Sequence, residues 1–229
     1  MKKIAIIPAR GGSKRIPRKN IKHFLDKPIL SYAIDLAINS GYFDEVMVST
    51  DDEEIAEIAR KYGAMVPFYR SELNSTDYAT TFDVLKEVIE RYEKDNIFFD
   101  IGCCIYPCTP LIQKETFSKI YNKLVNNDFD SVFPVVRYST PIQRALRLQE
   151  DLISMMSPEF IHTRSQDLEP AFFDSGQFYW FKTKIIKSTN SLWTNNTSCI
   201  EIDEMQAQDI DNEIDWKLAE IKYKMLNSD

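Results

Sequence analysis

Glycine is scarce in this chain. There are 6 in 229 residues, against roughly 7% in average proteins, which excludes collagen-like repeats, flexible linkers and glycine-rich low complexity. Histidine is scarcer still, with only His23 and His162. The four cysteines, Cys103, Cys104, Cys108 and Cys199, form no Cys-x-x-Cys pair, which argues against a Cys/His zinc site; Cys103 and Cys104 lie in an apolar run and read as reduced core residues. No apolar run reaches the ~18 residues that a membrane span needs. The stretch Ile4–Ala9 after Met1-Lys2-Lys3 is too short for a signal peptide. These absences predict a cytoplasmic protein without membrane contact. Acid outweighs base, 35 residues to 28, for a net charge of −7, and this ranks general nucleic-acid binding low.

What is present is ordinary in amount and uneven in place. Apolar residues make up 44% and charged residues 28%, as in folded globular chains, and the length suits a single domain spanning 1–229. The first 25 residues hold eight basic side chains and no acid. A concentrated cationic segment on an acidic body points to a small anionic ligand rather than a long polyanion.

Strand and helix signals alternate along the chain. Ile4–Ile7 is a short apolar run that predicts a strand buried on both faces. Pro28 opens a helix that Gly41 closes. Val46–Val48, Met65–Phe68, Ile101–Tyr106 and Ser131–Val136 read as strands. Helices are predicted from Asp51-Asp52 through Tyr62, over Ala79–Lys94 and over Lys114–Asn126. The pattern loosens over 137–174, with a possible short strand at Ala145–Leu148, and returns with strands at Gln177–Phe181 and Cys199–Ile202 and a helix over Glu213–Leu226. Such alternation predicts an α/β fold in three layers, helices on both faces of a mostly parallel sheet.

The segment Ile6-Ile7-Pro8-Ala9-Arg10-Gly11-Gly12-Ser13-Lys14-Arg15-Ile16-Pro17-Arg18-Lys19-Asn20 follows the first strand, where open α/β sheets bind ligands. Paired glycines let backbone N–H groups approach phosphate oxygens. Six cations between Arg10 and Lys22 can offset a triphosphate. Neither GxxxxGK[ST] nor GxGxxG is present. Exposed, solvated cations are the plainer reading, and it stays open for Arg15 and Arg18.

This segment resembles the signature of the cytidylyltransferases that activate acidic nine-carbon sugars, the CMP-sialic acid synthetase family, which includes a pseudaminic acid branch. Enzymes for the eight-carbon acid Kdo read Gly-Lys-Pro where this chain has Arg18-Lys19-Asn20. The likeness covers nearly the whole chain. It continues through Val48-Ser49-Thr50-Asp51, Arg70-Ser71-Glu72-Leu73, Asp77-Tyr78-Ala79-Thr80-Thr81, Tyr106-Pro107-Cys108-Thr109-Pro110 and Gln208-Asp209-Ile210-Asp211. Thr163–Ala171, Asp174–Trp180 and Gln143-Arg144-Ala145-Leu146 resemble the pseudaminic acid branch, and Tyr106 replaces the glutamine of the sialic acid enzymes.

The resemblance implies a Rossmann-like nucleotidyltransferase that transfers CMP from CTP to the anomeric hydroxyl of a nonulosonic acid, pseudaminic acid above sialic or legionaminic acid, for surface glycans such as those on flagellin. It implies nucleotide contacts at Ala9, Arg10, Gly11, Gly12, Ser13, Lys14, Lys19, Asn20, Arg70, Ala79 and Thr81. Arg10, Lys19, Asp209 and Asp211 take the catalytic part, with Mg²⁺ on Asp209 and Asp211. Sugar contacts fall on Tyr106, Gln143, Arg164, Gln177 and Tyr179, and the excursion over 137–174 becomes the arm of a homodimer. Plainer roles stay open: Asp77–Thr81, Asp209 and Asp211 as helix caps, Phe178 and Trp180 as packing, Tyr179 as either. A nucleotide-sugar-dependent glycosyltransferase and a non-catalytic nucleotide sensor are the rival functions.

Overall fold

The computed structural model describes residues 1–228. Strand β1 (Lys3–Pro8) buries Ile4, Ala5, Ile6 and Ile7 completely, as an apolar run in mid-sheet must. A two-residue ribbon, β2 (His23–Phe24) with β3 (Lys27–Pro28), precedes α1 (Ile29–Ser40), and Gly41 ends that helix at φ 67°. Pro28 is the residue before the first helical turn rather than in it. Then come β4 (Glu45–Ser49) and α2 (Glu53–Lys61), whose first turn is capped by Asp52 accepting from the Ile55 N–H at 3.0 Å. Helix α3 (Thr81–Lys94) starts with a reciprocal capping box between Thr80 and Asp83. Asp77 takes no part in that cap.

Strand β5 (Ile101–Ile105), α4 (Lys114–Asn126) and β6 (Ser131–Arg137) follow. Beyond β6 the chain leaves the sheet as a hairpin, β7 (Leu146–Gln149) with β8 (Leu152–Met155), and returns as β9 (Phe172–Asp174) and β10 (Phe178–Lys182). Helix α5 (Lys184–Ser188), β11 (Thr197–Ile202) and α6 (Glu213–Leu226) complete the order. The predicted excursion over 137–174 thus begins and ends in the sheet, since Arg137 closes β6 and 172–174 form β9. The predicted strand Met65–Phe68 is reduced to one bridge, Met47 with Met65; β9 and α5 had no forecast.

The sheet order is β11-β6-β10-β5-β1-β4. β1 runs parallel to β4 and β5, and β11 parallel to β6, while β10 runs antiparallel between β5 and β6. Alternation along β1 separates two cores. Ala5 and Ile7 face α1, α2 and α4; Ile4 and Ile6 face α3 and α5. Three layers result. Among the described residues, no helix is long and apolar enough to cross a membrane.

Two details shape the carboxyl edge of this sheet. A third, smaller core joins Ile16 of the basic loop, Phe24, Ile29 and Tyr32 to Ile210, Trp216 and Ala219. The second detail lies at β6, where β9 and β10 share one edge. Val132 pairs with Trp180 and Val135 with Asp174, so three steps along β6 face six along the partner line. Pro134 sits at this place. Its carbonyl accepts from the Ser175 N–H at 3.2 Å, but it has no N–H to return, so the ladder cannot continue and Ser175–Gln177 bulge outward. Gly176, at φ +63°, carries the turn.

Candidate active site

A cleft of about 1140 Å³ opens at the carboxyl ends of β1 and β5, where the strand order changes direction and such folds bind ligands. It is lined by the basic loop, the adjoining segment Ala207–Asp211, the turn Tyr106-Pro107-Cys108-Thr109 and the bulge at Asp174–Gly176.

The loop is held rigidly. Arg18 adopts the left-handed conformation at φ 56°, unusual for a side-chain-bearing residue, and its guanidinium grips Asp52 and Glu54 at the start of α2. Those hydrogen bonds raise the Arg18 pKa and lower that of Asp52. Arg18 therefore fastens the loop and does not line the cleft. Asn20 is buried; its amide donates to the Arg10 carbonyl at 2.8 Å and its oxygen accepts from the Cys108 thiol at 3.2 Å. Burial pushes that thiol up to about 12. A Cβ at Gly11 would crowd the Asp52 side chain, meeting its carboxylate oxygen at 2.7 Å, whereas Gly12 faces open space.

Each cation of the loop already has a protein partner. Asp77 accepts from Arg10 at 2.7 Å and from Lys14 at 2.5 Å, and these partners, Lys14 foremost, hold its carboxyl below the usual range. Arg15 pairs with Asp211, and Lys22 with Glu213 at 2.6 Å. Lys19 donates to the Ile210 carbonyl at 2.5 Å. Ile210 is buried in the small core between Asp209 and Asp211, an anchorage of about 1.5–3 kcal/mol, and both aspartates line the cleft. Neither caps α6. Asn212 does so, with Asp215 closing the box and also accepting from the Asp211 N–H at 2.9 Å. Lys222 and Gln177 tie down the preceding turn through the carbonyls of Ala207 and Gln206.

The other wall is aromatic. Tyr106 and Tyr179 meet edge to face with centroids 5.8 Å apart. Tyr106 shares a hydrogen bond with Thr81 at 2.7 Å, and Tyr179 donates to Asp174 at 2.5 Å. Burial pushes Tyr106 up to about 12. Burial, aided by the Asp174 charge, raises Tyr179 further.

Arg10, Ser13, Lys14, Lys19, Asn20, Tyr106, Tyr179, Asp209 and Asp211 thus share one cleft. Ala9 is buried behind it, and Gly11, Gly12, Ala79 and Thr81 stand outside its lining. Arg70 is buried at the end of β4, donating to Ser49 Oγ at 3.2 Å and Ser49 O at 2.5 Å, and desolvation lowers its pKa. Gln177 is buried. Gln143 donates to the Glu169 carbonyl at 3.0 Å and Arg164 pairs with Asp167, both in the excursion and away from this cleft.

The comparisons with known proteins fit this geometry. The family described as cytidylyltransferase matches residues 4–222. The chain belongs to the cytidylyltransferase family. It is 42% identical over 226 residues to the pseudaminic acid cytidylyltransferase of Campylobacter jejuni, covering 98% of this chain and 97% of that protein. It is 31% identical to the CMP-N,N'-diacetyllegionaminic acid synthase of Legionella pneumophila, covering 100% and 99%. Among solved structures, a CMP:2-keto-3-deoxy-manno-octonic acid synthetase complexed with CTP superposes with a TM-score of 0.71 at 17% identity, over 99% of both chains; this likeness concerns the fold.

As a cytidylyltransferase, the chain carries cleft residues that motif reading did not single out for the site: Asp77, Cys108, Phe173, Asp174 and Lys222. Cys108 and Asp174 lie within matched segments, two and three residues from the flagged Tyr106 and Gln177, so adjacency was their signal. Asp77 stood in a matched segment but read as a helix cap, and Lys222, which acts on a distant turn, left no signal. The two carboxylates of the aspartate pair are hard donors of the kind magnesium takes beside phosphate oxygens and water; among the described residues no cluster of three or more acidic, histidine or cysteine side chains forms.

Proposed function

We propose that this chain transfers CMP from CTP to the anomeric hydroxyl of a nonulosonic acid, with pseudaminic acid as the preferred acceptor. The hydroxyl oxygen forms a bond to the α-phosphorus, the bond to the β-phosphate oxygen breaks, and pyrophosphate leaves. The observation that carries this reading is that the basic loop and the Asp209/Asp211 pair adjoin and line one cleft. The 42% identity to a pseudaminic acid enzyme along the full length supports the acceptor; the legionaminic acid relative supports the second reading, a closely related nine-carbon acid.

In this reading Arg10, Ser13 and Lys14 take the triphosphate, the guanidinium as a planar fork and the ammonium as a point charge. Triphosphate oxygens replace Asp77 as their partner. Lys19, fixed on the Ile210 carbonyl, keeps the loop and the aspartate segment in register, so that attacking and leaving oxygens stay in line. Ala9, Gly11, Gly12 and Asn20 support the loop from behind, and Arg70, Ala79 and Thr81 serve the cytosine side. Asp209 and Asp211 would hold Mg²⁺, which when bound offsets charge developing on the phosphates. Tyr106, Gln177 and Tyr179 shape the sugar side.

The excursion would pair two copies of the chain. Its hairpin leaves Leu146, Leu148 and Ile153 exposed on one face and Leu152 on the other, and such exposed apolar surface marks an interaction site. Gln143 and Arg164 would act from that arm. CTP as substrate, together with four free cysteines, fits a reducing, cytoplasmic setting.

The test is pyrophosphate release from CTP and Mg²⁺ with a panel of nonulosonic acids, the CMP-sugar being identified by mass. Fastest release with pseudaminic acid is expected. Release with none of them, despite CTP binding, would favour the nucleotide sensor.

A further inference from the structure

The cleft has an apolar element that the nucleotide does not need. Phe173 lines it while remaining 39% exposed, and its ring packs against Tyr138, itself 42% exposed, with centroids 5.0 Å apart. Large apolar side chains are normally buried. Here Phe173 stands in the lining of the cleft with Tyr138 packed behind it, beyond the aromatic pair Tyr106 and Tyr179.

Position narrows what Phe173 can meet. It lies in β9, on the edge of β6 that β10 also uses, opposite Val136. The Tyr106 N–H bonds the Gln177 carbonyl, so the turn after β5 separates this wall from the loop after β1. Two strand spacings make the offset about 10 Å. Arg70 lies on the other side, at the end of β4. Base, phosphates and acceptor would then follow one another across the sheet, and Phe173 stands at the acceptor end. The bulge at Pro134 fixes this placement, because the Asp174 carboxylate just beyond Phe173 is locked by the Tyr179 hydroxyl and the Gly176 N–H.

We infer that Phe173, backed by Tyr138, is a specificity-determining residue: an apolar wall that favours an acceptor ending in methyl and acylamino groups over one ending in a hydroxylated chain. The inference rests on the proposed reaction and names its selectivity. Pseudaminic acid carries a terminal methyl and two acylamino groups, whereas N-acetylneuraminic acid carries a trihydroxypropyl tail. Hydroxyls set against a phenyl ring lose water without gaining a partner.

The experiment compares kcat/KM for pseudaminic acid and N-acetylneuraminic acid at saturating CTP, in wild type, Phe173→Ser and Phe173→Leu, with oligomeric state followed by light scattering. Wild type should favour pseudaminic acid. Phe173→Ser should cut that preference about tenfold, the scale of one apolar contact in a pocket, mainly through the acceptor KM and with the CTP KM unchanged. Phe173→Leu should restore most of it. An unchanged ratio in Phe173→Ser overturns the inference while leaving the reaction standing. So does a shift in oligomeric state at fixed ratio, which would assign Phe173 to a subunit interface. Release with neither acid by the wild type overturns both the inference and the reaction it rests on.

Discussion

The basic loop and the hairpin arm are opposites in how they meet solvent. In the loop, Arg10, Lys14, Arg15, Arg18, Lys19 and Lys22 each have an acidic or carbonyl partner within the same chain. In the arm, Leu146, Leu148, Leu152 and Ile153 lie on the surface with more than half of each exposed. The loop is complete in one chain and must exchange internal partners for a ligand. The arm is incomplete in one chain and gains by adding a neighbour. Charge can be satisfied locally and later traded, because ion pairs near water are weak; exposed leucines have no such provisional partner.

The largest effect that would break this contrast is at the carboxylates. Asp211→Asn should lower pyrophosphate release about 10²–10³-fold, the scale of losing one charge-stabilising group in a transition state, with a melting temperature close to that of wild type. Full activity in Asp211→Asn would remove the metal-binding part of the account. Next, Arg10→Ala should raise the CTP KM about 10–100-fold, the loss of a charge-assisted hydrogen bond, with the acceptor KM little changed in initial-rate kinetics.

The arm is tested by Leu146→Glu with Leu148→Glu, which lie on one face of the hairpin. Each buried leucine is worth about 1.5–3 kcal/mol, so the pair should weaken association by about 100-fold or more and give monomers in light scattering at micromolar concentration. A dimer that persists would place the interface elsewhere. Smaller is Asp77→Asn, which removes the internal competitor for Arg10 and Lys14. The CTP KM should fall about 2–5-fold, the size of an exposed ion pair; a rise would make Asp77 a positioning group instead.

The smallest effect concerns pH. Burial holds the Tyr106 hydroxyl protonated up to about 12, so wild type and Tyr106→Phe should share the same profile between pH 8 and pH 10. The sign for stability follows: a folded-state pKa above the ordinary tyrosine value of about 10 leaves its contribution intact below that value and removes it as pH climbs toward 12. Alkaline unfolding should therefore be steeper in wild type than in Tyr106→Phe.

Local features were legible in the sequence, and long-range partners were not. The run Ile4–Ile7, the cap at Asp52 and the helix end at Gly41 depend on neighbours a few residues away, and each is where its residues imply. Arg10, Ser13, Lys14, Lys19 and Asn20 of the loop meet Asp209 and Asp211 in one cleft, because Ile16 and Ile210 enter the same small core; nothing in either segment announced that core. Met65–Phe68 had strand composition, yet only Met65 found a partner. Asp77 read as a helix cap, but Thr80 and Asp83 formed the cap between themselves and left Asp77 to the cations. The bulge at Ser175–Gln177 depends on Pro134, some forty residues away in sequence and adjacent in the sheet.

The claim that joins these observations is that CTP displaces Asp77 and takes its two cations. A crystal structure of the CTP complex tests it directly. The triphosphate should lie on Arg10 and Lys14, with the Asp77 carboxylate parted from both and Asp209 and Asp211 facing the phosphates. Phosphates bound elsewhere, with the Asp77 pair intact, would contradict it.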